Sequence, residues 1–320
     1  MTSQTSRIAV LTDIADAHLP FVQKHLDQEM IILDPQAVLK RQGLTFGFAP
    51  GRNIAVYGEH QLKQIKSIWY RKPRDFTLTS APVDPELQDY ACVALQYHTM
   101  QILTACRQAR WVSDYYALRR ANNKALQLEV AAQLGLRVPE TIMTSDPAAA
   151  HTFLTTHDKC IVKTYSAYSM TAKSALYTTK VNKKKLPELQ NLHLAPAIFQ
   201  QQIDPQFDVR VTVVGKKAFA ASICHKGSET SNILDWRLGH YDGDLRIEPF
   251  DDFPADVAKL CVQHVEALGL SFGAIDFVMD KKNRLWFLEN NPNGQWGFVE
   301  RYAGLPIGKA MAELLSAAAK

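Results

Sequence analysis

Hydrophobic and polar positions along the first third of the chain predict short strands that alternate with helices. Apolar runs of strand length occupy four segments, at 8–11, 30–33, 54–57 and 65–70. Between the first two of these runs, apolar positions recur at helical spacing across 19–26. This alternation favours a sheet flanked by helices, which is an α/β fold.

Two longer helices are predicted further along the chain. Apolar residues recur at helical spacing across 85–107, and Asp84 with the proline after it is a typical helix start. A second helix is predicted over 122–134. It ends at Gly135, which can adopt the left-handed cap conformation, and Pro139 follows shortly after. We therefore expect a linker between two lobes near this proline.

The second half of the chain is rich in strand patterns. A turn at Gly215 and Lys216 predicts antiparallel pairing of the strands on either side of it. Helices are predicted over 254–268 and 305–319. The predicted strands of this half are 160–164, 174–179, 198–203, 208–214, 218–223, 272–279 and 284–289.

Composition and charge are those of an ordinary globular protein. The 320 residues, 47% hydrophobic and 21% charged, correspond to about two domains or to one large α/β unit. A net charge of +4 suits anionic ligands, whereas nucleic-acid binding has no support because no basic platform interleaved with aromatic residues is present. The five cysteines lack C-x-x-C spacing, and no run of 18 apolar residues occurs. We expect a cytoplasmic protein without disulfides, zinc or membrane contact.

The most informative segment is the predicted strand pair 272–279 and 284–289. If Met279 pairs with Arg284 across the turn, Asp276 lies opposite Phe287 and diagonally beside Glu289, roughly 7–8 Å away. Asn291 continues the same face. Two carboxylates and an amide oxygen in this arrangement match Mg²⁺ or Mn²⁺. The plain alternative is an exposed hairpin carrying ordinary charges.

Basic residues elsewhere suggest contacts to an anion. In the predicted strand 208–214, Val209, Val211 and Val213 share one face, and Asp208 and Arg210 share the other with a threonine. Arginine can fork two donors onto a phosphate or carboxylate, although a surface Asp and Arg pair would give the same pattern. Lys163 ends a short apolar strand, and Lys124 follows two asparagines at a helix start, where a capped surface helix is the simpler interpretation.

Taken in order, these residues resemble the ATP-grasp superfamily of carboxylate ligases, over a stretch from about Arg7 to the C-terminus. The matching positions are Asn123, Lys124, Lys163, Gln200, Gln201, Gln202, Ile203, Asp208, Arg210, Asp276, Glu289 and Asn291. Within that superfamily the chain looks most like the microviridin-type peptide maturases, also called graspetide ligases. Three local motifs carry this finer likeness: Ile68-Trp69-Tyr70-Arg71-Lys72-Pro73, Asp235-Trp236-Arg237 and Asn290-Asn291-Pro292-Asn293-Gly294-Gln295-Trp296.

The resemblance implies a role for each matching residue. Lys124 and Lys163 would contact ATP phosphates, and Asp208 would hold the ribose. Segment 201–203 would line the adenine hinge through Gln201, Gln202 and Ile203. Asp276, Glu289 and Asn291 would bind magnesium, and Arg210, Asn232 and Arg237 would face the γ-phosphate and the acyl group being activated.

The resemblance also implies an ATP-grasp fold divided into an N-terminal α/β domain (1–120), a central lobe (121–203) and a C-terminal antiparallel-sheet lobe (204–320). The implied activity is ADP-forming ligation. A carboxylate of a ribosomally made precursor peptide becomes an acyl phosphate, which a hydroxyl or amine of the peptide captures as an ester or amide crosslink. Two alternatives stay open: a RimK-like or glutathione-synthetase-like ligase acting on a small amino acid, and an ATP-binding regulator without turnover. A homodimer is expected from relatives.

Overall fold

The structure is a computed structural model that describes residues 7–40, 43–76, 78, 83–165, 169–171, 174–175, 178–181, 189–225 and 245–319. Within these residues the strands are β1 (Ile8–Thr12), β2 (Ile31–Leu33), β3 (Leu44–Ala49), β4 (Arg52–Tyr57), β5 (His60–Gln61), β6 (Ser67–Lys72), β7 (Arg110–Val112), β8 (Thr141–Thr144), β9 (Cys160–Lys163), β10 (Ser169–Thr171), β11 (Ser174–Ala175), β12 (Thr179–Lys180), β13 (Ala197–Gln201), β14 (Pro205–Val214), β15 (Lys217–His225), β16 (Leu245–Pro249), β17 (Phe272–Asp280) and β18 (Leu285–Asn291). The α-helices are α1 (Leu19–Gln23), α2 (Gln88–Thr104), α3 (Tyr115–Ala121), α4 (Lys124–Gln133), α5 (Pro147–Thr156), α6 (Ala255–Ala267), α7 (Gly297–Ala303) and α8 (Ile307–Ala319).

The N-terminal region contains a parallel sheet in the order β2-β1-β6-β7. Every residue of β1 is buried, as expected for a central parallel strand covered on both faces. A separate antiparallel sheet, β3-β4-β5, is inserted before β6. The long helix predicted over 85–107 is confirmed, although it opens with a 3₁₀ turn and α2 ends at Thr104.

The central lobe is an antiparallel sheet in the order β12-β9-β13-β8. Helix α5 packs on it, and its first turn is capped by the Asp146 carboxylate, which accepts a hydrogen bond from the Ala148 N–H. The single strand predicted over 174–179 is wrong, because the structure has two short strands there, β11 and β12. Segment 136–140, where a linker is predicted, contains neither helix nor strand.

The C-terminal lobe is an antiparallel sheet in the order β16-β15-β14-β17-β18. The predicted pairing of β14 with β15 is confirmed, and Gly215 adopts a φ of 58° in the turn between them. One face of the sheet, with Val209, Val211 and Val213, packs in a core that includes residues of α6. The opposite face of β14 therefore carries the polar residues Asp208, Arg210 and Thr212.

One hydrophobic core joins the N-terminal sheet to the C-terminal lobe. It contains Ile8 and Trp69 from the parallel sheet, Val214 from β14, Trp296 and the α8 residue Met311, each 2% exposed or less. The predicted α/β class is confirmed, while the domain boundaries at 120/121 and 203/204 stay predictions. None of the described helices combines the length and apolar character needed to cross a membrane.

Candidate functional site

Asp276 on β17 and Glu289 on β18 lie directly opposite each other. The two strands pair Met279 with Leu285 and Phe277 with Phe287, and a β-bulge then shifts the register so that Asp276 faces Glu289. The predicted register, with Met279 opposite Arg284 and Asp276 opposite Phe287, is therefore wrong. The two carboxylates are nonetheless neighbours, as predicted.

The bulge decides which face of the sheet Glu289 occupies. In regular alternation Glu289 would share the face of Phe287, whose side chain is 0% exposed in the core. The extra residue, Leu288, moves Glu289 to the face of Asp276. Asn291 lies two residues further on, opposite Ala274, and so stays on this polar face.

The predicted register is already wrong by one residue at the hairpin turn, before the bulge, and the structure of the turn explains why. The Asp280 carboxylate accepts hydrogen bonds from the N–H groups of Lys282 and Arg284, from Arg284 Nε and from the Trp286 indole. Burial opposes ionisation of Asp280, but these hydrogen bonds outweigh it and hold its pKa well below the ordinary value. The turn therefore closes between Asp280 and Arg284, one residue later than predicted.

Four of the predicted site residues contact one another on this polar face. The Asn291 amide nitrogen lies 3.0 Å from Asp276 Oδ2 and 3.4 Å from Glu289 Oε1. Arg210 Nη1 lies 3.2 Å from Asp276 Oδ1 and donates to the Ala274 carbonyl oxygen. A fifth predicted residue, Lys124, approaches from α4, where its Nζ donates to Glu289 Oε2 at 2.5 Å.

This donor set fits a magnesium ion. The amide of Asn291 lies within reach of both carboxylates, so one point in space can contact all three side chains. A half turn of the amide would present its oxygen to the carboxylates' side in place of the nitrogen. No group of three or more His, Cys, Asp or Glu residues suited to a metal occurs in the described part of the chain. Two carboxylates and an amide oxygen form an all-oxygen set, and such a set suits Mg²⁺.

Lys124 is held in place by the start of α4. Asn123 caps this helix by accepting a hydrogen bond from the Leu126 N–H. One turn later, the buried Gln127 side chain hydrogen-bonds to the Asn290 backbone between Glu289 and Asn291. Gln127 is not among the residues predicted from the sequence. Its helical position indicates only that it faces inward, and nothing in the sequence indicates its partner.

The other predicted ATP contacts lie on the central lobe and on β14. Lys163 Nζ donates to the Oε1 of the buried Gln200 at 2.8 Å, a partner that the sequence did not predict. The N–H groups of Gln201 and Gln202 bond to the carbonyls of Glu140 and Lys159, and Ile203 follows them. These two N–H groups are therefore used within the lobe.

Asp208 lies on the same face of β14 as Arg210, two positions before it. Asn232 and Arg237, predicted to face the acyl group, lie outside the described residues, as does the Asp235-Trp236-Arg237 motif.

The first and last of the three local motifs meet in space. The buried Arg71 guanidinium donates from Nη1 to the Asn293 carbonyl oxygen at 3.1 Å and from Nη2 to Gln295 Oε1 at 2.7 Å. Its Nε lies 3.5 Å from an oxygen of Asp16. Burial raises the pKa of Asp16, but the His18 hydrogen bond and the Arg71 charge outweigh it and keep the pKa well below its ordinary value. This network ties β1 and β6 to the loop that follows Asn291.

His18 completes the network as a neutral imidazole. The N–H groups of Trp296 and Gly297 both donate to His18 Nε2, at 3.2 and 3.0 Å, so this nitrogen carries no proton. The proton therefore sits on Nδ1, which donates to Asp16 Oδ1 at 2.8 Å. Burial, together with the Arg71 charge, lowers the pKa of His18 despite the Asp16 hydrogen bond.

Three solved structures share this fold over nearly the whole chain. A RiPP-associated ATP-grasp ligase from Chryseobacterium gregarium, in complex with ADP and a leader and core peptide, is 24% identical with a TM-score of 0.87, covering 97% of this chain and 96% of that one. The macrocyclase MdnC from Microcystis aeruginosa MRC, bound with precursor peptide MdnA, is 25% identical with a TM-score of 0.82, covering 97% and 99%. The ATP-grasp ligase PsnB, complexed with a minimal precursor, Mg and ADP, is 21% identical with a TM-score of 0.79, covering 100% and 99%.

Comparison with protein families places most of this site in one domain. A search of curated proteins found no match. The profile of the RimK-like ATP-grasp domain matches residues 121–315, a range that contains Lys124, Lys163, Arg210, Asp276 and Glu289. This match spans more than half of the 320 residues. The chain therefore belongs to the RimK-like ATP-grasp family.

Proposed function

We propose that this protein is an ATP-dependent, ADP-forming ligase that makes side-chain ester or amide crosslinks in a ribosomally made precursor peptide. The observation that carries the proposal is the bulged carboxylate pair Asp276 and Glu289, with Asn291, Lys124 and Arg210 in contact with it. The likeness to ligases solved with leader, core and precursor peptides supports the choice of a peptide substrate.

In the proposed reaction, an oxygen of a peptide carboxylate attacks the γ-phosphorus of ATP while the bond to the bridging β-γ oxygen breaks, giving an acyl phosphate and ADP. A hydroxyl or amine of the peptide then attacks the acyl carbon. Inorganic phosphate leaves, and the nucleophile loses its proton. Each crosslink thus removes one water from the peptide, and no protein nucleophile is needed.

The side chains contribute mainly charge stabilisation. Asp276, Glu289 and Asn291 would hold Mg²⁺ or Mn²⁺, which when bound neutralises charge on the phosphate oxygens. Lys124 would turn from Glu289 to a phosphate, since an ammonium can redirect its donors. Arg210, with Asn232 and Arg237, would face the γ-phosphate and acyl group. Lys163 would contact a phosphate as well.

The remaining proposed contacts lie toward the adenosine end of ATP. Gln201, Gln202 and Ile203 would line the adenine pocket at the end of β13, and Asp208 would bind the ribose hydroxyls. Because the N–H groups of Gln201 and Gln202 are already bonded within the lobe, side chains and carbonyl groups are what this segment offers to adenine.

The test uses the full chain with ATP, Mg²⁺ and the short peptide encoded beside its gene. The expected result is ADP release together with a peptide mass lower by one water for each bond formed. Modification of free amino acids but not of the peptide would instead indicate the small-molecule ligase. Tight ATP binding without ADP release under any acceptor would indicate the regulator.

The proposal also includes a cytoplasmic location and a homodimeric assembly. All five cysteines are free thiols in the structure, which supports a reducing, cytoplasmic location. The homodimer expected from relatives is tested by light scattering of the purified chain, where a monomer across the working concentration range would contradict it.

A further inference from the structure

A cavity of about 460 Å³ lies at the carboxyl ends of β1 and β6. None of the proposed metal ligands, Asp276, Glu289 and Asn291, is among its lining residues. It is formed by the loop after β1, the loop after β6 and one residue of the C-terminal lobe. Its polar lining consists chiefly of Asp13, Asp16, Lys72, Arg74, Asp75 and Gln295.

The position of this cavity follows from the strand order. In the sheet β2-β1-β6-β7, the chain leaves β1 to form β2 on one side and later returns to form β6 on the other. The carboxyl ends of β1 and β6 therefore flank a topological switch point. Open α/β sheets bind their ligands in the crevice at such a point.

Some charged side chains of the cavity lining have an ionic partner, and others do not. Arg74 Nε pairs with Asp13 Oδ2 at 2.7 Å, and the Asp16 carboxylate is held by His18 and Arg71. By contrast, Lys72 and Asp75 are both exposed, and neither charged group makes a hydrogen bond or ion pair with a residue that the structure describes. The Lys72 ammonium is therefore the cation of the cavity without such a partner. This cation is available to an anionic ligand.

A short stretch of chain, held by hydrogen bonds, connects the cavity to the polar face that carries Asp276 and Glu289. Gln295, which lines the cavity, follows Asn291 by four residues, a span of at most roughly 14 Å. Arg71, in β6 next to Lys72, bonds both Asn293 and Gln295 in this stretch. These hydrogen bonds therefore fix the position of a ligand group bound at Lys72 relative to the proposed metal site.

We propose that this cavity is a peptide subsite in which the Lys72 ammonium binds an acidic side chain of the substrate. The proposal rests on the proposed function for the identity of the substrate. A carboxylate and a phosphate would both suit an ammonium, so the phosphates of ATP are the competing source of the anion, and the experiment separates the two.

The test measures binding rather than turnover, with the fluorescein-labelled peptide encoded beside the gene and the full chain loaded with Mg²⁺ and ADP. Lys72→Glu and the milder Lys72→Ala are compared with Lys66→Glu. Lys66 is also exposed but precedes β6 at its amino end, so this control makes the same charge change at the opposite end of the strand. We expect Lys72→Glu to weaken peptide binding at least tenfold and Lys66→Glu to leave it unchanged.

A second arm replaces the acidic residues of the peptide by Asn and Gln. This peptide should bind the wild type more weakly and lose nothing further with Lys72→Glu. Equal peptide affinity for Lys72→Glu and Lys66→Glu would overturn the subsite, as would a rise in the KM for ATP without a change in peptide affinity. Wild-type protein that binds the peptide but never releases ADP would overturn the ligase reaction and support the subsite alone.

Discussion

Gln127 on α4 forms two hydrogen bonds with the backbone of Asn290 through a single side-chain amide. Its Nε2 donates to the Asn290 carbonyl oxygen at 2.8 Å, and its Oε1 accepts from the Asn290 N–H at 2.9 Å. The amide thus bonds to β18 as a neighbouring strand would. Since Lys124 lies one turn earlier on α4 and Asn290 separates Glu289 from Asn291, Gln127 fixes the predicted phosphate-binding lysine relative to two predicted metal ligands.

We predict that Gln127→Leu lowers turnover about 10- to 100-fold, as is usual for residues that orient metal ligands. The replacement also leaves the buried Asn290 N–H and carbonyl without partners, at a cost of about 1–3 kcal/mol for each group. ADP release is measured as a function of Mg²⁺, and Gln133→Leu, at an exposed position of the same helix, is the control. An unchanged Mg²⁺ requirement in Gln127→Leu would show that the two Gln127 hydrogen bonds do not position the proposed metal ligands.

Neutralising either carboxylate should abolish most activity. Asp276→Asn and Glu289→Gln keep the side-chain shape but remove the charge that a divalent ion needs, so we expect turnover to fall by about 10²–10³. The control is Asp280→Asn at the hairpin end of the same strand. It removes the acceptor charge for the hydrogen bonds from Arg284 and Trp286 and should lower stability more than turnover. Full activity in Asp276→Asn would rule out the proposed metal site.

Much of the fold could be predicted from the sequence because its strands are long or strongly patterned. The valine face of β14 and the glycine turn before β15 determine each other's position, and both were predicted correctly. The three-residue β2 is predicted because all its residues are apolar, whereas β7 and β8, which are about as short, mix polar and apolar residues and are not predicted. Their pairing depends on distant strands instead.

The candidate site was predictable as a set of residues but not as a geometry. Asp276, Glu289 and Asn291 were selected from an assumed regular register, and the structure brings them together through a bulge at Leu288. A bulge adds one residue without a marker such as glycine or proline here, so alternation alone cannot locate it. The contact between Arg71 and Gln295 spans 224 residues, a separation at which local patterns hold no information.

Two buried histidines predict a loss of stability in mild acid. Burial lowers the pKa of both His18 and His264 from an ordinary value of 6.5. Below about pH 6.5 the unfolded chain therefore binds protons that the folded chain excludes, and the free energy of unfolding decreases as the pH falls. It should be constant above that pH as far as these residues are concerned. Denaturant unfolding between pH 8 and 5.5 measures this.

The variant His18→Leu serves as the comparison for this pH dependence. It should be less stable at every pH because the N–H groups of Trp296 and Gly297 lose their acceptor. Its unfolding free energy should nevertheless depend less on pH below 6.5 than that of the wild type. An equal slope in both proteins would mean that His18 titrates normally in the folded state.

Arg210→Lys tests whether charge alone suffices beside Asp276. Arg210 Nη1 contacts both Asp276 and the Ala274 carbonyl oxygen, while its Cζ lies 5.9 Å from the centroid of the Phe298 ring. A lysine keeps the charge, but it lacks the planar fork that makes several directed contacts at once. We expect kcat to fall at least ~10-fold with a smaller change in the KM for ATP, because the contact with the moving phosphoryl group strengthens in the transition state.

The control is Arg246→Lys, on the exposed edge strand β16, which should leave both constants unchanged. If Arg210→Lys instead raised the KM for ATP at constant kcat, Arg210 would bind the nucleotide equally in the ground state and the transition state and would not favour the transition state.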